Sequence, residues 1–390
     1  MNIYPMEPMV PSDPESELAD AAVDLVAKAS ALAGQIHGRV QAAIGELVRS
    51  MNCYYSNLIE GHDTHPRDIE RALADSYSRD ARRRELQLEA RAHIELQRTI
   101  DSGEDPDVAP TSVEYLRWLH GEFCRRLPAE LLYVENPDTG NRIRIVPGEF
   151  RTGSVAVGTH IPPDETALSS LLLRFEEAYA PERLSKSVRI LTVAAAHHRL
   201  LWIHPFYDGN GRVARLMSHA MLLRCGVGSS LWSVARGLAR NADRYRAALA
   251  RADEPRHGGL DGRGSLSDRM LREFTRFFLD TCIDQVDFMA SLLQPSELLR
   301  RMKLYVDDEV AAGRLPRGSL ALLREAFLAG EVERGRAADL TGHRERRGRQ
   351  VLSTLIDRRL LVSQGPRAPV RLGFPLDVLE RWFPRLYPVD

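Results

Sequence analysis

The chain has 390 residues, 44% hydrophobic and 27% charged, and a formal net charge of −1. That length and composition are typical of soluble globular proteins with two or three domains. A near-neutral charge excludes a global attraction to nucleic acid or to membranes, so either kind of binding would need a local patch. The sequence lacks an apolar run long enough for a membrane span, and its N-terminus lacks the pattern of a signal peptide.

The cysteines favour a reducing compartment. Cys53, Cys124, Cys225 and Cys282 are widely spaced, and no C-x-x-C pair occurs among them. This spacing argues against a zinc site and favours reduced thiols in the cytoplasm. We therefore expect a cytoplasmic protein without membrane association.

Helical periodicity dominates the first part of the chain. Apolar residues recur at spacings of three and four, which predicts amphipathic helices. We expect these helices over residues 16–36, 40–59, 82–100 and 111–126. Gly61 ends the second of them.

A change of pattern marks the middle of the chain. Short alternating runs at 142–146 and 154–157, separated by Pro147-Gly148, predict a β-hairpin over 140–158. Helical patterns then resume. They are expected over residues 165–179, 187–203, 212–223, 241–252 and 267–293.

The character shifts again near residue 295. A connecting helix is predicted over 298–312, and three short helices over 318–330, 335–340 and 345–361. Two short strands follow, at 361–363 and 370–372. Three helices and a hairpin in this order are typical of a winged-helix domain. We expect three domains: a helical region at 1–110, a central core at 111–294, and a linker helix with a winged-helix-like domain at 295–390.

The most informative stretch is His204-Pro-Phe-Tyr-Asp-Gly-Asn-Gly-Arg-Val-Ala-Arg215. Gly209 and Gly211 free the backbone to turn and to approach a ligand closely. The stretch leads directly into a predicted helix, whose unpaired N–H groups form an anion site. The backbone here is therefore suited to binding phosphate.

The side chains of this stretch extend that interpretation. Arg212 and Arg215 are three residues apart, so they share one helix face and match the phosphates of a nucleotide. Asp208 is a carboxylate suited to Mg²⁺ between phosphate oxygens. His204 could accept the proton of an attacking hydroxyl. Phe206 is expected to point into the core and anchor the loop.

The same residues resemble the signature of the Fic (Fic/Doc) family, His-Pro-Phe-x-(Asp/Glu)-Gly-Asn-Gly-Arg-x-x-Arg. The stretch is unlike the P-loop pattern of ordinary kinases and ATPases. The resemblance implies a mainly α protein with a Fic helical core and a short β-hairpin flap. It also implies transfer of AMP from ATP to a Tyr, Thr or Ser hydroxyl of a target protein, with release of pyrophosphate.

The resemblance assigns a role to each residue of the motif. His204 would be the general base, and Asp208 would hold Mg²⁺. The remaining positions would surround the phosphates of ATP: Gly209, Asn210, Gly211, Arg212 and Arg215. Residues 148–158 resemble the Fic flap, which pins a target peptide by strand addition. Its pinning residues would be Ser154, Val155, Ala156 and Val157.

A second motif lies far upstream. Ser56-Asn-Leu-Ile-Glu60-Gly61 resembles the inhibitory motif (Ser/Thr)-x-x-x-Glu-(Gly/Asn) of Fic proteins, on a helix over about 40–61. The resemblance implies that Glu60 pairs with Arg215 in the space that the γ-phosphate needs, with Ser56 near the same site. The protein would then be auto-inhibited. In some relatives the same glutamate supports removal of AMP, so de-AMPylation is also open.

Two other functions remain open. One is a DNA-binding transcriptional regulator whose Fic core is inactive or only senses ATP. The other is a phosphotransfer enzyme that binds the nucleotide in the reverse direction. The basic run at 343–349 and Arg367 could contact DNA, although we favour contacts with a target protein or self-association as a homodimer.

Overall fold

The computed structural model describes residues 5–135, 140, 142–158 and 160–387. This part of the chain is mainly helical, which confirms the predicted fold class. The helices are α1 (Glu17–Gly34), α2 (Gly38–Ile59), α3 (Pro66–Leu73), α4 (Ala81–Asp101), α5 (Val113–Arg125), α6 (Leu168–Ala178), α7 (Lys186–Ile203), α8 (Asn210–Arg224), α9 (Val234–Arg240), α10 (Ala242–Ala252), α11 (Asp268–Leu293), α12 (Pro295–Ala311), α13 (Ser319–Ala329), α14 (Ala337–Thr341), α15 (Glu345–Asp357) and α16 (Leu376–Trp382).

Contacts divide the chain into two compact units. One contains residues 1–29, 52–229 and 233–285, and the other contains residues 30–51, 230–232 and 286–390. All residues of the predicted site, including the last turn of α2, belong to the first unit. None of the helices in the described ranges is long and apolar enough to cross a membrane.

Two helices at the centre of the first unit position the site. α7 and α8 pack against each other, and α4 and α5 pack against α8. Every residue of α7 from Ile190 to Leu200 is buried, and so is almost all of α8. A helix that is buried on every side belongs to a core. The short connection between α7 and α8, residues 204–209, is therefore held by rigid elements at both ends.

A small antiparallel hairpin is present, but its strands are not the two that were predicted over 140–158. Its first run forms β2 (Arg142–Arg144), which pairs antiparallel with β1 (Tyr133–Glu135) and not with 154–157. Residues 154–157 are not a strand, although Val157 makes an isolated bridge with His160. Residue 141, inside the predicted hairpin, lies outside the described residues.

Backbone contacts of Gly148 explain why residues 142–146 do not pair with 154–157. The Gly148 N–H donates to His120 Nδ1 at 3.0 Å, and the Gly148 carbonyl accepts from Arg117 at 3.0 Å. Gly148 also has a φ of +79° and lies so close to the carbonyl of Arg117 that a Cβ would clash. The proposed turn is therefore occupied by tertiary contacts with α5, which period-two patterning does not reveal.

The C-terminal part of the second unit has the predicted order of elements. α13, α14 and α15 are followed by β3 (Leu361–Val362) and β4 (Arg371–Leu372), which pair antiparallel. Gly348 lies against the backbone of Ala338, and a Cβ there would come within 2.7 Å of the Ala338 Cα. Glycine therefore lets α14 and α15 cross closely. The connecting helix begins at Pro295, earlier than predicted, because proline suits a first turn.

Candidate active site

His204 ends α7 in an uncommon backbone conformation. Its φ of 50° and ψ of 61° lie in the left-handed region, and its N–H donates to the Leu200 carbonyl at 2.9 Å. Non-glycine residues adopt this region rarely, and such strain persists only where surrounding contacts impose it. The turn stops the helix and directs the chain into the motif. The backbone position of His204, the candidate base, is therefore set by the left-handed turn at the end of α7.

Arg151 supplies much of the constraint on this turn. The side chain is almost fully buried, and its Nε donates to the His204 carbonyl at 2.8 Å. Its backbone N–H donates to the Pro205 carbonyl at 2.9 Å. A second guanidinium nitrogen donates to the Gly153 carbonyl at 3.0 Å. One residue thus joins segment 151–153 to the motif. Sequence reasoning missed Arg151, because no spacing rule singles out an arginine that binds carbonyls.

Burial sets the protonation state of His204. The imidazole is half-buried, and this burial lowers the pKa of His204 to about 4, against a smaller opposing effect of a hydrogen bond to the Leu201 backbone. The ring is consequently neutral near pH 7, which is the form that accepts a proton. The predicted role of His204 as a general base fits this state.

Asn210 closes the loop from inside. Its Oδ1 accepts from the Phe206 N–H at 3.0 Å, and its Nδ2 donates to the Phe206 carbonyl at 2.8 Å. Phe206 is fully buried and stacks on His120 at 4.0 Å, which confirms its predicted anchoring role. With its amide engaged, Asn210 can offer a ligand only its backbone N–H.

The anion site is the start of α8. The helix begins at Asn210, two residues before the predicted start, with Gly209 as N-cap in the left-handed region at φ 79°. No side chain caps this end. The first-turn N–H groups of Asn210, Gly211 and Arg212 lack intrahelical partners by geometry and form a cradle for an anion.

Arg215 is held by the end of α2. Its Nε donates to Ser56 Oγ at 2.8 Å, and its Nη2 forms an ion pair with Glu60 and donates to the Ser56 carbonyl at 3.3 Å. Arg215 is 4% exposed and Ser56 is fully buried. The pairing that the inhibitory motif implies is therefore present, across 155 positions of sequence.

Glu60 lies directly over the anion cradle. A Cβ built on Gly211 would overlap Glu60 Oε1 and come within 3.0 Å of Arg215 Nη1. Burial alone would raise the pKa of Glu60, but the charges of Arg215, Arg212 and His62 outweigh it and hold the pKa below its usual value. Glu60 is thus an anion at neutral pH, in the place suited to a phosphate.

Arg212 has partners that sequence reasoning missed. Its Nη2 donates to Glu89 Oε2 at 2.8 Å and lies 3.2 Å from His62 Nδ1, and its guanidinium is 5.1 Å from the Phe123 ring centre. Glu89 lies within α4, where one glutamate among many charged residues gives no signal. Both motif arginines are therefore paired with carboxylates.

Asp208 is the remaining candidate ligand of a metal. Asp208 is exposed, within the connection between α7 and α8. Among the residues described here, no group of three His, Cys, Asp or Glu side chains could hold a metal ion by itself. Mg²⁺ typically binds one or two carboxylates together with substrate phosphates. One exposed carboxylate beside a phosphate cradle fits that arrangement.

The predicted flap residues lie beside the loop and belong to no strand. Ser154, Ala156 and Val157 are exposed, and Val155 is half-exposed. Just before them, the Thr152 N–H donates to Tyr207 Oη at 3.2 Å, which ties the segment to the motif. The structure therefore brings the predicted flap residues close to the His204 loop, but not as a strand of the predicted hairpin.

A base, a carboxylate and a helix-start anion cradle on one loop between two buried helices define a domain of the Fic class. Residues 110–222 match the Fic/DOC family, and this part of the chain belongs to it. The chain is 44% identical over 114 residues to the protein adenylyltransferase Fic of Drosophila virilis, covering 28% of this chain and 24% of that protein. It is 46% identical over 79 residues to the protein of the same name from Drosophila melanogaster, covering 20% and 16%. The chain thus spans about a quarter or less of these relatives.

Solved structures share the fold. A Fic family protein from Desulfovibrio desulfuricans G20 aligns with a TM-score of 0.53 at 17% identity, over 95% of this chain and 99% of that chain. Fic-1 from C. elegans aligns with a TM-score of 0.50 at 17% identity, over 71% of each chain. At such identities these likenesses concern the fold alone.

Proposed function

We propose that this chain is an auto-inhibited protein adenylyltransferase that transfers AMP from ATP to a Tyr, Thr or Ser hydroxyl of a target protein. The observation that carries the proposal is the position of Glu60. Its carboxylate covers the anion cradle and pairs with Arg215. The relatives named as adenylyltransferases support the same reaction.

The proposed reaction has one transfer step. The hydroxyl oxygen of the target forms a bond to the α-phosphorus of ATP, and the bond from that phosphorus to the bridging oxygen breaks. Pyrophosphate leaves, and the hydroxyl proton passes to the neutral imidazole of His204. The low pKa of His204 favours the accepting form, since the ring is unprotonated well below pH 7.

The chain's phosphate-binding groups would orient ATP. The N–H groups at the start of α8 face the cradle, and Arg212 and Arg215 supply two guanidinium groups. Asp208 would hold Mg²⁺, which neutralises charge on the phosphates when bound. These contacts would stabilise the charge that develops during transfer.

Glu60 would inhibit by competing with a phosphate for the same partners. The carboxylate is already anionic, and Arg215 is already neutralised by it. A γ-phosphate entering beside Glu60 would meet like charge and no free guanidinium. ATP would therefore bind unproductively until the end of α2 moves away.

The exposed segment 154–157 would receive the target peptide. Apart from Val157, which is bonded to His160, its backbone N–H and C=O groups could pair with an added strand. Because the Thr152–Tyr207 contact joins the segment to the motif, a peptide there would lie near His204. The acceptor is accordingly proposed to be a protein and not a small molecule.

Mass spectrometry tests this proposal and separates it from phosphotransfer. The Glu60→Gly variant is incubated with a cell lysate and ATP carrying the label on either the α- or the γ-phosphate. Adenylyl transfer predicts α-label and the added mass of AMP on protein hydroxyls. Transfer of γ-label alone would favour the reversed nucleotide instead. The His204→Ala, Glu60→Gly double variant is the control, and it sets the background of label that the enzymes of the lysate transfer themselves.

Glu60 also suggests a second activity, the removal of AMP from a modified target protein. Glu60 lies where it could position a water against a phosphoester on a modified target. Incubating a purified modified target with wild type and with Glu60→Gly compares the two. Loss of AMP with wild type only would support de-AMPylation, and equal loss with both would contradict a role for Glu60.

We also propose that residues 319–372 form a winged-helix-like domain, and its basic face motivates a DNA-binding alternative. Arg344, Arg346, Arg347 and Arg349 are exposed at the start of α15, and Arg367 is exposed between β3 and β4. Exposed arginines on a helix of this kind suit phosphate contacts in DNA. Outside these arginines, we favour contacts of this domain with a target protein or with a second copy of the chain.

A gel shift with random duplex DNA at low salt tests the DNA alternative. A shift that disappears as salt rises, and in an Arg346→Ala, Arg347→Ala variant, would support it. No shift at low salt would exclude a DNA-binding role. Light scattering of the same samples reports whether the chain forms a homodimer. We further propose a cytoplasmic location, which the four free cysteines support.

A further inference from the structure

A second polar cluster lies beside the Glu60–Arg215 pair. Glu89 Oε2 is 2.8 Å from Arg212 Nη2 and 2.9 Å from His62 Nδ1. The three atoms form a triangle, since His62 Nδ1 is 3.2 Å from Arg212 Nη2. The Arg212 and Glu89 side chains are 7% and 15% exposed, and that of His62 is 24% exposed.

The chemistry of the triangle fixes the hydrogen bonds. A carboxylate accepts only, and a guanidinium donates only. If His62 Nδ1 accepted from Arg212, its lone pair would also face the Glu89 oxygen at hydrogen-bond distance. The consistent arrangement has Nδ1–H of His62 donating to Glu89, which also accepts from Arg212. Glu89 is therefore the common acceptor that joins His62 to Arg212.

His62 is mechanically coupled to Glu60. The Glu60 N–H and the His62 N–H both donate to the Asn57 carbonyl, at 3.0 Å and 2.9 Å. The two residues thus belong to one compact turn at the end of α2. A side chain that fixes His62 consequently restrains the turn that carries Glu60.

We propose that His62, held by Glu89, is a second restraint on the inhibitory turn, residues 57–62, beside the Glu60–Arg215 pair. This inference rests on the proposed function and specifies its regulation. The turn is anchored to α8 through Arg215 and to α4 through Glu89. Each anchor therefore adds to the inhibition, and an activator that withdraws His62 from Glu89 would weaken the hold on Glu60 from outside the phosphate site.

A double-mutant cycle tests the second restraint. His62→Ala removes a charge-assisted hydrogen bond, so self-AMPylation should rise roughly tenfold when Glu60 is intact. In the Glu60→Gly background the same change should alter the rate less than about twofold, because inhibition is already relieved. An equal change in both backgrounds would overturn the proposal and place His62 in the transfer reaction itself.

The matched control is Asp63→Ala. Asp63 is the next residue and is exposed, so its loss should leave the rate unchanged in both backgrounds. Glu89→Gln is the second variant, since it keeps the shape and removes the charge that His62 donates to. It should raise the rate of the protein with intact Glu60, as His62→Ala does, and an unchanged rate would contradict the role of Glu89.

Amide hydrogen exchange provides a readout that does not depend on catalysis. The amides of Glu60 and His62 should exchange several-fold faster in His62→Ala than in wild type, with Asp63→Ala unchanged. If Glu60→Gly transfers no AMP at all, the proposed function fails, and exchange alone decides this inference. Unchanged exchange in His62→Ala would overturn the second restraint in either case.

Discussion

The Glu60 carboxylate lies against the α-carbon of Gly211, so that any side chain at residue 211 would overlap Glu60 Oε1. Gly211 belongs to the first turn of α8, whose N–H groups form the anion cradle. The missing side chain therefore leaves room either for a phosphate or for the inhibitory carboxylate. This relation gives inhibition a direct physical cause, which is competition for one space.

The overlap predicts a stability coupling between the two residues. Gly211→Ala should lower the free energy of unfolding by roughly 1 to 3 kcal/mol when Glu60 is present, because the Cβ forces Glu60 or the helix to shift. In the Glu60→Gly background the cost should be clearly smaller. Chemical denaturation of the four proteins measures the coupling. Equal costs in both backgrounds would contradict the observed contact.

Asn210 should matter for the loop and not as a ligand. Asn210→Ala leaves the buried N–H and C=O of Phe206 without partners, which should cost roughly 2 to 4 kcal/mol of unfolding free energy. Asn210→Asp keeps the acceptor and loses the donor, so it should lie between alanine and wild type. Thermal unfolding of the three proteins tests this order. A stable Asn210→Ala would show that other contacts close the loop.

Arg151 should act through the position of His204. In the Glu60→Gly background, Arg151→Met should lower kcat at least about tenfold, because the carbonyls of His204 and Ile203 lose their guanidinium donor. The KM for ATP should change little, since the guanidinium of Arg151 donates to backbone carbonyls outside the phosphate cradle. Steady-state kinetics separates these parameters. A variant with raised KM and unchanged kcat would mean that Arg151 binds nucleotide.

The pH dependence should reflect the low pKa of His204. Protonation removes the base, so activity falls as pH drops through the pKa, which burial lowers to about 4 from 6.5. The Glu60→Gly variant should therefore show nearly constant kcat/KM between about pH 6 and 8. Because the pKa of Glu60 is also lowered, wild type should stay inhibited over this range. An acid limb near 6.5 would contradict the buried environment of His204.

The sequence predicts the motif loop and most helices because both are local features. α7 is rich in apolar residues, and the signature residues are contiguous from His204 to Arg215. The Glu60–Arg215 pair was accessible only through the resemblance of its motif, since no local rule joins positions so far apart. Short helices such as α9 were not predicted, because they are too short to show a full amphipathic repeat.

The errors share a physical cause. The hairpin prediction failed because tertiary hydrogen bonds from α5 occupy Gly148, and these contacts leave no trace in an alternating pattern. Arg151 and Glu89 were missed for the same reason, as each acts on a residue distant in sequence. Contacts that only the fold creates must be observed in the structure.

The most direct test of the account compares label transfer from α-labelled ATP by purified wild type and Glu60→Gly. Glu60→Gln, which keeps the shape and loses the charge, is the matched control, and His204→Ala in the Glu60→Gly background sets the baseline. The account predicts at least about tenfold more self-labelling with Glu60→Gly than with wild type, an intermediate rate with Glu60→Gln, and none above background without His204. Equal labelling by wild type and Glu60→Gly would contradict the claim that Glu60 restrains a complete active site.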